Sequence, residues 1–265
     1  MAKPPRVIAL LTDFGLKDHY VGVMKGVILR INPEARIVDI SHDLPSQGVL
    51  DAYFLLSNTY RYFPDGTIFL TVVDPGVGSD REILAVEADT HVFLAPDNGI
   101  LGFLEKEGNI RRSVYVRERK YAFSPVSNTF HGRDIFAPAA AHLSLGLDLE
   151  KLGPVAERIQ RIDAPSPRVT REGVIMGEVV SIDHFGNLVT NIPGEQLASA
   201  DTVEIRIGKA TIPGLSRSYK EGKAGQLIAL VGSTGNLEVS VNKGDARKKT
   251  GAEVGSAVRV RHTQE

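Results

Sequence analysis

The run Thr67-Ile68-Phe69-Leu70-Thr71-Val72-Val73 constrains this chain most, because every position is apolar, aromatic or β-branched rather than every second one. A strand of that kind has no face to give to water, so it belongs inside a sheet covered on both sides. The run stops at Asp74, and Pro75-Gly76-Val77-Gly78 follow as turn residues, with Arg81 just beyond. In an open α/β sheet, ligands bind at the carboxyl ends of the strands, which puts Asp74 in a position suited to chemistry. The competing reading is a solvated Asp-Pro-Gly turn beside a surface arginine.

The flanking chain supplies the rest of such a sheet. Val7-Ile8-Ala9-Leu10-Leu11 is a short buried strand that also ends on a carboxylate, in Thr12-Asp13-Phe14-Gly15, so Asp13 and Asp74 are candidates for one edge. Tyr20, Val23, Met24, Val27 and Ile28 recur at helical spacing, with Asp18 as N-cap. A strand at Ile37 to Ile40 and a helix built on Val49, Leu50, Tyr53, Phe54 and Leu56 come next. Ile83 to Ala88 and His91 to Ala95 read as two strands around a tight turn, Pro96-Asp97-Asn98-Gly99 closes a strand, and Ser113 to Val116 is another. Phe130-His131-Gly132-Arg133-Asp134 opens a helix reaching Leu143, with Pro138 in its first turns.

This alternation predicts an α/β amino-terminal domain, residues 1–165, with a mostly parallel sheet and helices on both faces. Pro154, Pro165 and Pro167 mark a linker, though Leu152 and Val155 suit packing on the first domain. From Gly173 onward the pattern is of short strands and no helix: Gly177 to Ile182, Val203 to Ile207, Gln226 to Val231, Leu237 to Val241 and Ala257 to Val260. Residues 166–265 therefore form a small antiparallel β-barrel or sandwich.

Composition narrows the function. Lys plus Arg number 31 and Asp plus Glu 32, so no charge imbalance points to nucleic acid or an anionic membrane, and no window is apolar enough for a membrane span. A small-molecule substrate is the expected partner. The absence of cysteine removes disulfides, thiol nucleophiles and thiolate metal sites together. The amino terminus carries no secretory signal pattern, so a cytoplasmic location is expected.

Gly76-Val77-Gly78 is not a dinucleotide fingerprint, because the third glycine would fall on Arg81, and no phosphate-loop or H-E-x-x-H sequence occurs. Of the seven histidines, His131 stands apart through its company at a helix start, where the amino terminus would favour the neutral ring. Asp183-His184-Phe185-Gly186-Asn187 reads either as a hairpin corner or as an aromatic face beside an amide, a pairing suited to adenine. Gly232-Ser233-Thr234-Gly235 is either a hairpin loop or a set of donors for a carboxylate.

Together Leu11-Thr12-Asp13-Phe14-Gly15, Val73-Asp74-Pro75-Gly76-Val77-Gly78, Arg81, Ala95-Pro96-Asp97-Asn98-Gly99, Phe130-His131-Gly132-Arg133-Asp134 and Asp183 through Asn191 resemble the S-adenosylmethionine hydrolases. That family, also called the hydroxide adenosyltransferases, is related to the fluorinating and chlorinating enzymes. The resemblance implies an α/β amino domain, a β-barrel carboxyl domain, and homotrimers with active sites between subunits. It implies Asp74, Arg81 and His131 as a catalytic triad, Asp13 on the ribose, and Asp18 at the methionine part. Asp183 would take the methionine ammonium, Phe185 and Asn187 the adenine, and Ser233 the methionine carboxylate. Phe130, Tyr219 and Glu238 complete the substrate set, with Tyr219 a candidate to stack on adenine. Thr234 replaces an arginine and Val189 an aromatic of the halogenating relatives, and their long halide-pocket loop has no counterpart.

The expected reaction is therefore hydrolysis of S-adenosyl-L-methionine to adenosine and L-methionine by water attack at C5′, with no metal and no cofactor. The alternatives are halide attack at that carbon, a metal-dependent phosphoesterase using Asp13, Asp74, His131 and Asp134, and an adenosine-binding sensor without turnover.

Overall fold

The computed structural model describes residues 6–107, 110–197 and 203–262. The chain divides into two compact units, Met1–Ile162 and Asp163–Glu265. The first holds β1 (Val7–Thr12), α1 (Tyr20–Ile31), β2 (Arg36–Ser41), α2 (Val49–Thr59), β3 (Ile68–Val72), β4 (Ile83–Ala88), β5 (His91–Pro96), α3 (Gly102–Glu107), β6 (Ile110–Tyr115) and α4 (Ala137–Ser144).

Its sheet runs β2-β1-β3-β5-β4-β6. The pairings around β1, β3 and β5 are parallel, while β4 pairs antiparallel with both β5 and β6. All five residues of β3 are buried, as a strand without a solvent face requires. Its side chains alternate between two helical layers. Ile68, Leu70 and Val72 join Ile8, Leu10, Met24, Ile28 and the alanines of α4 in one core. Phe69 points the other way and packs edge-on to Tyr60, while its neighbour Phe93 meets Phe103 of α3. Burying each of these large side chains contributes about 1.5–3 kcal/mol.

Because β1 and β3 are parallel and in register from Ile8↔Ile68 to Thr12↔Val72, Asp13 and Asp74 leave the sheet at the same edge. That common edge follows from topology alone.

Several local expectations change. The N-cap of α1 is His19, which makes no side-chain cap bond, and not Asp18. The buried residues of α1 are Val21, Met24, Val27 and Ile28, with Val23 partly buried, whereas Tyr20, its first residue, is exposed. Gly132–Phe136 form a π-helical turn that runs directly into α4, and Pro138 lies in the first turn of α4. The segment after Leu152 is not a free linker. Tyr115 N donates to Pro154 O and Ala156 N to Ser113 O, and Ala156 and Ile159 are buried, so it lies along β6 within the first unit, with Val155 facing outward.

The second unit contains β7 (Arg168–Val169), β8 (Ile175–Ile182), β9 (Leu188–Pro193), β10 (Val203–Ile207), β11 (Ala210–Pro213), β12 (Leu227–Val231), β13 (Asn236–Val241), α5 (Ala246–Thr250) and β14 (Ala257–His262). Every pairing is antiparallel, in the order β11-β10-β14-β8-β9-β13-β12 with β7 on β8. Ser216 N, just past β11, donates to Ala229 O of β12, so the two ends of the sheet nearly close into a barrel. Ile175, Val179, Ile205, Ile207, Val239 and Val258 fill its interior. The short helix α5, which no periodicity announces, is capped by the Asp245 carboxylate accepting from Lys248 N.

Candidate functional site

The loop after β3 is built from two successive tight turns. Val77 N donates to Asp74 O and Ser79 N to Gly76 O, and the Ser79 hydroxyl caps the second turn on Gly76 O. The chain thereby doubles back and aims the Arg81 side chain at Asp74. Arg81 Nε lies 2.8 and 3.0 Å from the two Asp74 oxygens, and Nη2 also bonds Oδ2. The pair is largely withdrawn from water: the side chains are 11% and 5% exposed for Arg81 and Asp74. Phe136 lies beneath, its ring centroid 5.8 Å from the guanidinium carbon.

The third member arrives from a separate segment. Arg81 Nη2 stands 2.9 Å from His131 Nδ1. A guanidinium nitrogen can only donate, so Nδ1 is an acceptor and the ring proton resides on Nε2. Burial holds the His131 pKa below the usual histidine value, the Arg81 charge lowers it further with help from Arg119, and Asp74 and Asp134 oppose. Burial and the adjacent guanidinium therefore favour the neutral ring, and His131 also stands at the N-cap of the helical turn Gly132–Phe136.

Two features bring His131 to Arg81. Gly78 has φ +80°, and a Cβ there would sit 2.3 Å from Asn128 O, so the two loops touch backbone to backbone only because residue 78 is glycine. Asp134 then fixes the second loop, accepting from Ser127 N at 2.8 Å and from Arg133. Burial alone would raise the Asp134 pKa, yet Arg133 and the Ser127 amide hold it below the ordinary carboxylate value. A cavity of about 350 Å³ opens onto this array, lined by Arg81, Glu82, Arg117, Arg119, Tyr121 and His131 among others.

The remaining candidates of the first unit have other partners. Asp13 Oδ2 accepts from Gln47 N at 2.7 Å, and Asp18 is exposed. Phe130 is buried and meets Phe14 and Tyr20 edge-on, with centroids 6.0 and 5.1 Å away, so a partly exposed aromatic cluster sits at the amino end of α1.

In the second unit, Asp183 is engaged by its own loop. Its Oδ1 accepts from Phe185 N and Asn187 N, both at 2.9 Å, and its Oδ2 from the Asn187 amide at 2.8 Å. The corner thus holds Asn187 in place while Phe185 stands 72% exposed, with the His184 ring edge-on at 5.6 Å. Tyr219 donates to Glu238 Oε1 at 2.8 Å, and Ser240 does so at 2.6 Å. Burial, then the Glu238 carboxylate, then Asp183 push the Tyr219 pKa up to about 12. Ser233 is exposed at the tip of the hairpin joining β12 and β13.

The turn after β5 closes a strand and belongs to the segments that carry the family resemblance, but the sequence assigns no role to Asp97 or Asn98. In the structure Asn98 Nδ2 donates to Val73 O, and Asp97 is buried. The signal available was a polar trio at a strand end, which does not reveal a neighbouring strand as its target. Among the described residues, no three His, Cys, Asp or Glu side chains gather to hold a metal ion, so Asp13, Asp74, His131 and Asp134 do not form the cluster a metal-dependent phosphoesterase needs. Among them also, no helix is long and apolar enough to cross a membrane.

Residues 8–153 match the model of the SAM hydroxide adenosyltransferase N-terminal domain, and residues 177–259 that of the C-terminal domain. The chain belongs to the SAM hydroxide adenosyltransferase family. It is 38% identical to a protein of Thermus thermophilus named (R)-S-adenosyl-L-methionine hydrolase, covering 96% of this chain and 99% of that one. A protein of the same name from Methanocaldococcus jannaschii is 34% identical, covering 91% and 90%. A fluorinase of Nocardia brasiliensis is more distant, 27% identical with 96% of each covered. The crystal structure of an uncharacterized conserved protein from Thermotoga maritima superposes with a TM-score of 0.89 at 38% identity, covering 96% of this chain and 99% of that one.

Proposed function

We propose that this member of the family hydrolyses S-adenosyl-L-methionine, as the R sulfonium epimer named in its relatives, to adenosine and L-methionine. The observation that carries the reading is the contiguous Asp74–Arg81–His131 array at the carboxyl end of β3. The sulfonium makes methionine leave as a neutral thioether, so no acid is needed and the protein must chiefly place a nucleophile. Water attacks C5′ in line with the departing sulfur, the C5′–S electron pair stays on sulfur, and one proton is released. Positioning supplies much of the rate.

The array divides the work. His131 Nδ1 is occupied by Arg81, so its Nε2–H orients the water by donation and Asp74 receives the proton before bulk solvent takes it. Arg81, ion-paired to Asp74, stabilises hydroxide character in the water as it develops. Asp13, Asp18 and Phe130, with Asp183, Phe185, Asn187, Tyr219, Ser233 and Glu238, bind the nucleoside and amino-acid portions, in the roles the family resemblance assigns. A cytoplasmic homotrimer, free of metal and cofactor, is the form in which we propose that the protein acts. The family resemblance supports that assembly, and sizing in solution tests it.

Incubation in oxygen-18 water with excess fluoride or chloride tests the reaction. Label at the adenosine 5′-oxygen is the expected result. A 5′-halogenated nucleoside, or tight adenosine binding without methionine release, would overturn it in favour of a halogenase or a sensor.

A further inference from the structure

The loop from Asp74 to Arg81 is held at both ends by one short turn, residues 96–99. Before the loop, Asn98 Nδ2 donates 2.9 Å to Val73 O, the carbonyl immediately preceding Asp74. After the loop, Asp97 N donates 2.9 Å to Glu82 O, immediately following Arg81. The second bond continues the β4–β5 ladder, in which Ile83 faces Pro96. The first links the turn after β5 to the end of β3, beyond the last ladder pair Leu70↔Leu94, and is made by a side chain.

The turn itself is fastened from behind. The buried Asp97 Oδ1 accepts from Gln160 N at 2.7 Å. Gly99, with φ +102°, lies against Ile162, where a Cβ would approach the Ile162 Cβ to 2.8 Å. A rigid turn thus grips a loop whose two ends carry the ion-paired residues.

We infer that Asn98 is a positioning residue for the Asp74–Arg81 pair, setting where Asp74 leaves β3 and therefore where the attacking water is held. This deepens the hydrolase reading and rests on it. Asn98 touches no reacting atom. Its loss frees the Val73 carbonyl, lets the strand end rotate, and misplaces the carboxylate, and a shift near 1 Å at such a group costs about 100-fold in rate. The nucleoside contacts do not depend on it.

The experiment compares wild type, Asn98→Ala and the near-isosteric Asn98→Asp. Turnover of S-adenosyl-L-methionine, KM and adenosine affinity are measured, together with the nitrogen-15 resonance of the Arg81 Nε–H, which reports the ion pair without any substrate. The inference expects kcat to fall about 10- to 100-fold in both variants, KM and adenosine affinity to change less than about threefold, and the Arg81 Nε–H to broaden or exchange faster with water. Unchanged kcat with an unchanged Arg81 signal in folded Asn98→Asp overturns it, as does a parallel loss of adenosine affinity, which would mark general damage. Wild type that binds adenosine but does not hydrolyse the substrate refutes the hydrolase reading instead, and the Arg81 signal still decides whether the turn holds the pair.

Discussion

Replacing Arg81 by lysine keeps the charge and removes the geometry, which isolates what the fork contributes. Arg81 Nε reaches both oxygens of Asp74 at 2.8 and 3.0 Å, and Nη2 contacts Asp74 Oδ2 and His131 Nδ1 together. An ammonium is one point with three donors and cannot span a carboxylate edge and an imidazole at once. At least two bonds involving a charged group are lost, each about 1.5–3 kcal/mol. Even if the lysine recovers one, the remaining deficit of one such bond predicts a fall in kcat of about 10- to 100-fold at 1.4 kcal/mol per decade. Adenosine binding should persist. Arg81→Ala goes further, because it leaves a carboxylate only 5% exposed without its partner, and breaking a buried pair costs about 3–5 kcal/mol. The assay is release of adenosine and methionine followed by chromatography, with calorimetric adenosine titration and a thermal melt on each variant. Arg81→Lys retaining turnover within about threefold of wild type would refute the proposed role of the fork, since the loss of even one charge-assisted bond exceeds that margin.

Three further outcomes follow from the same geometry. His131 has its pKa lowered in the fold, so its neutral form contributes stability present above about pH 6.5 and lost as pH falls through the folded-state value; kcat/KM should show an acid limb below pH 6.5, and Arg119→Ala should move that limb upward, with an unmoved limb counting against His131 as its source. Gly78→Ala forces a Cβ within 2.3 Å of Asn128 O at a positive φ that alone costs about 1–2 kcal/mol, so the melting temperature should drop by several degrees and turnover should fall; a variant as stable and active as wild type would show that the loops do not need their contact. Glu238→Gln should bring the Tyr219 titration down from about 12 toward the ordinary value, read as the ultraviolet difference against Tyr219→Phe, whereas no change would show burial alone to be responsible.

The sequence by itself determined which strands are buried and where they end. The unbroken apolar run at 67–73 could only be interior, and the runs at 7–11 and 67–73 both close on a carboxylate, so candidate acids at strand ends were legible from residue types alone. Alternation of Val203, Ile205 and Ile207 with Glu204 and Arg206 likewise revealed a half-buried strand of an antiparallel sheet. Short elements were not legible in this way. Neither β7 nor β11 is long enough to carry a period, and α5 is specified by its Asp245 cap and its packing rather than by an apolar stripe. What only the tertiary structure decided was contact across long sequence separations. Nothing local in Gly78 names Asn128, nothing in Arg81 names His131, and nothing in Asn98 names the carbonyl of Val73, because each partner is fixed by strand order and loop path. The same distance in sequence hides the protonation of His131: its neutral ring, with the proton on Nε2, comes from burial and from a guanidinium supplied by another loop.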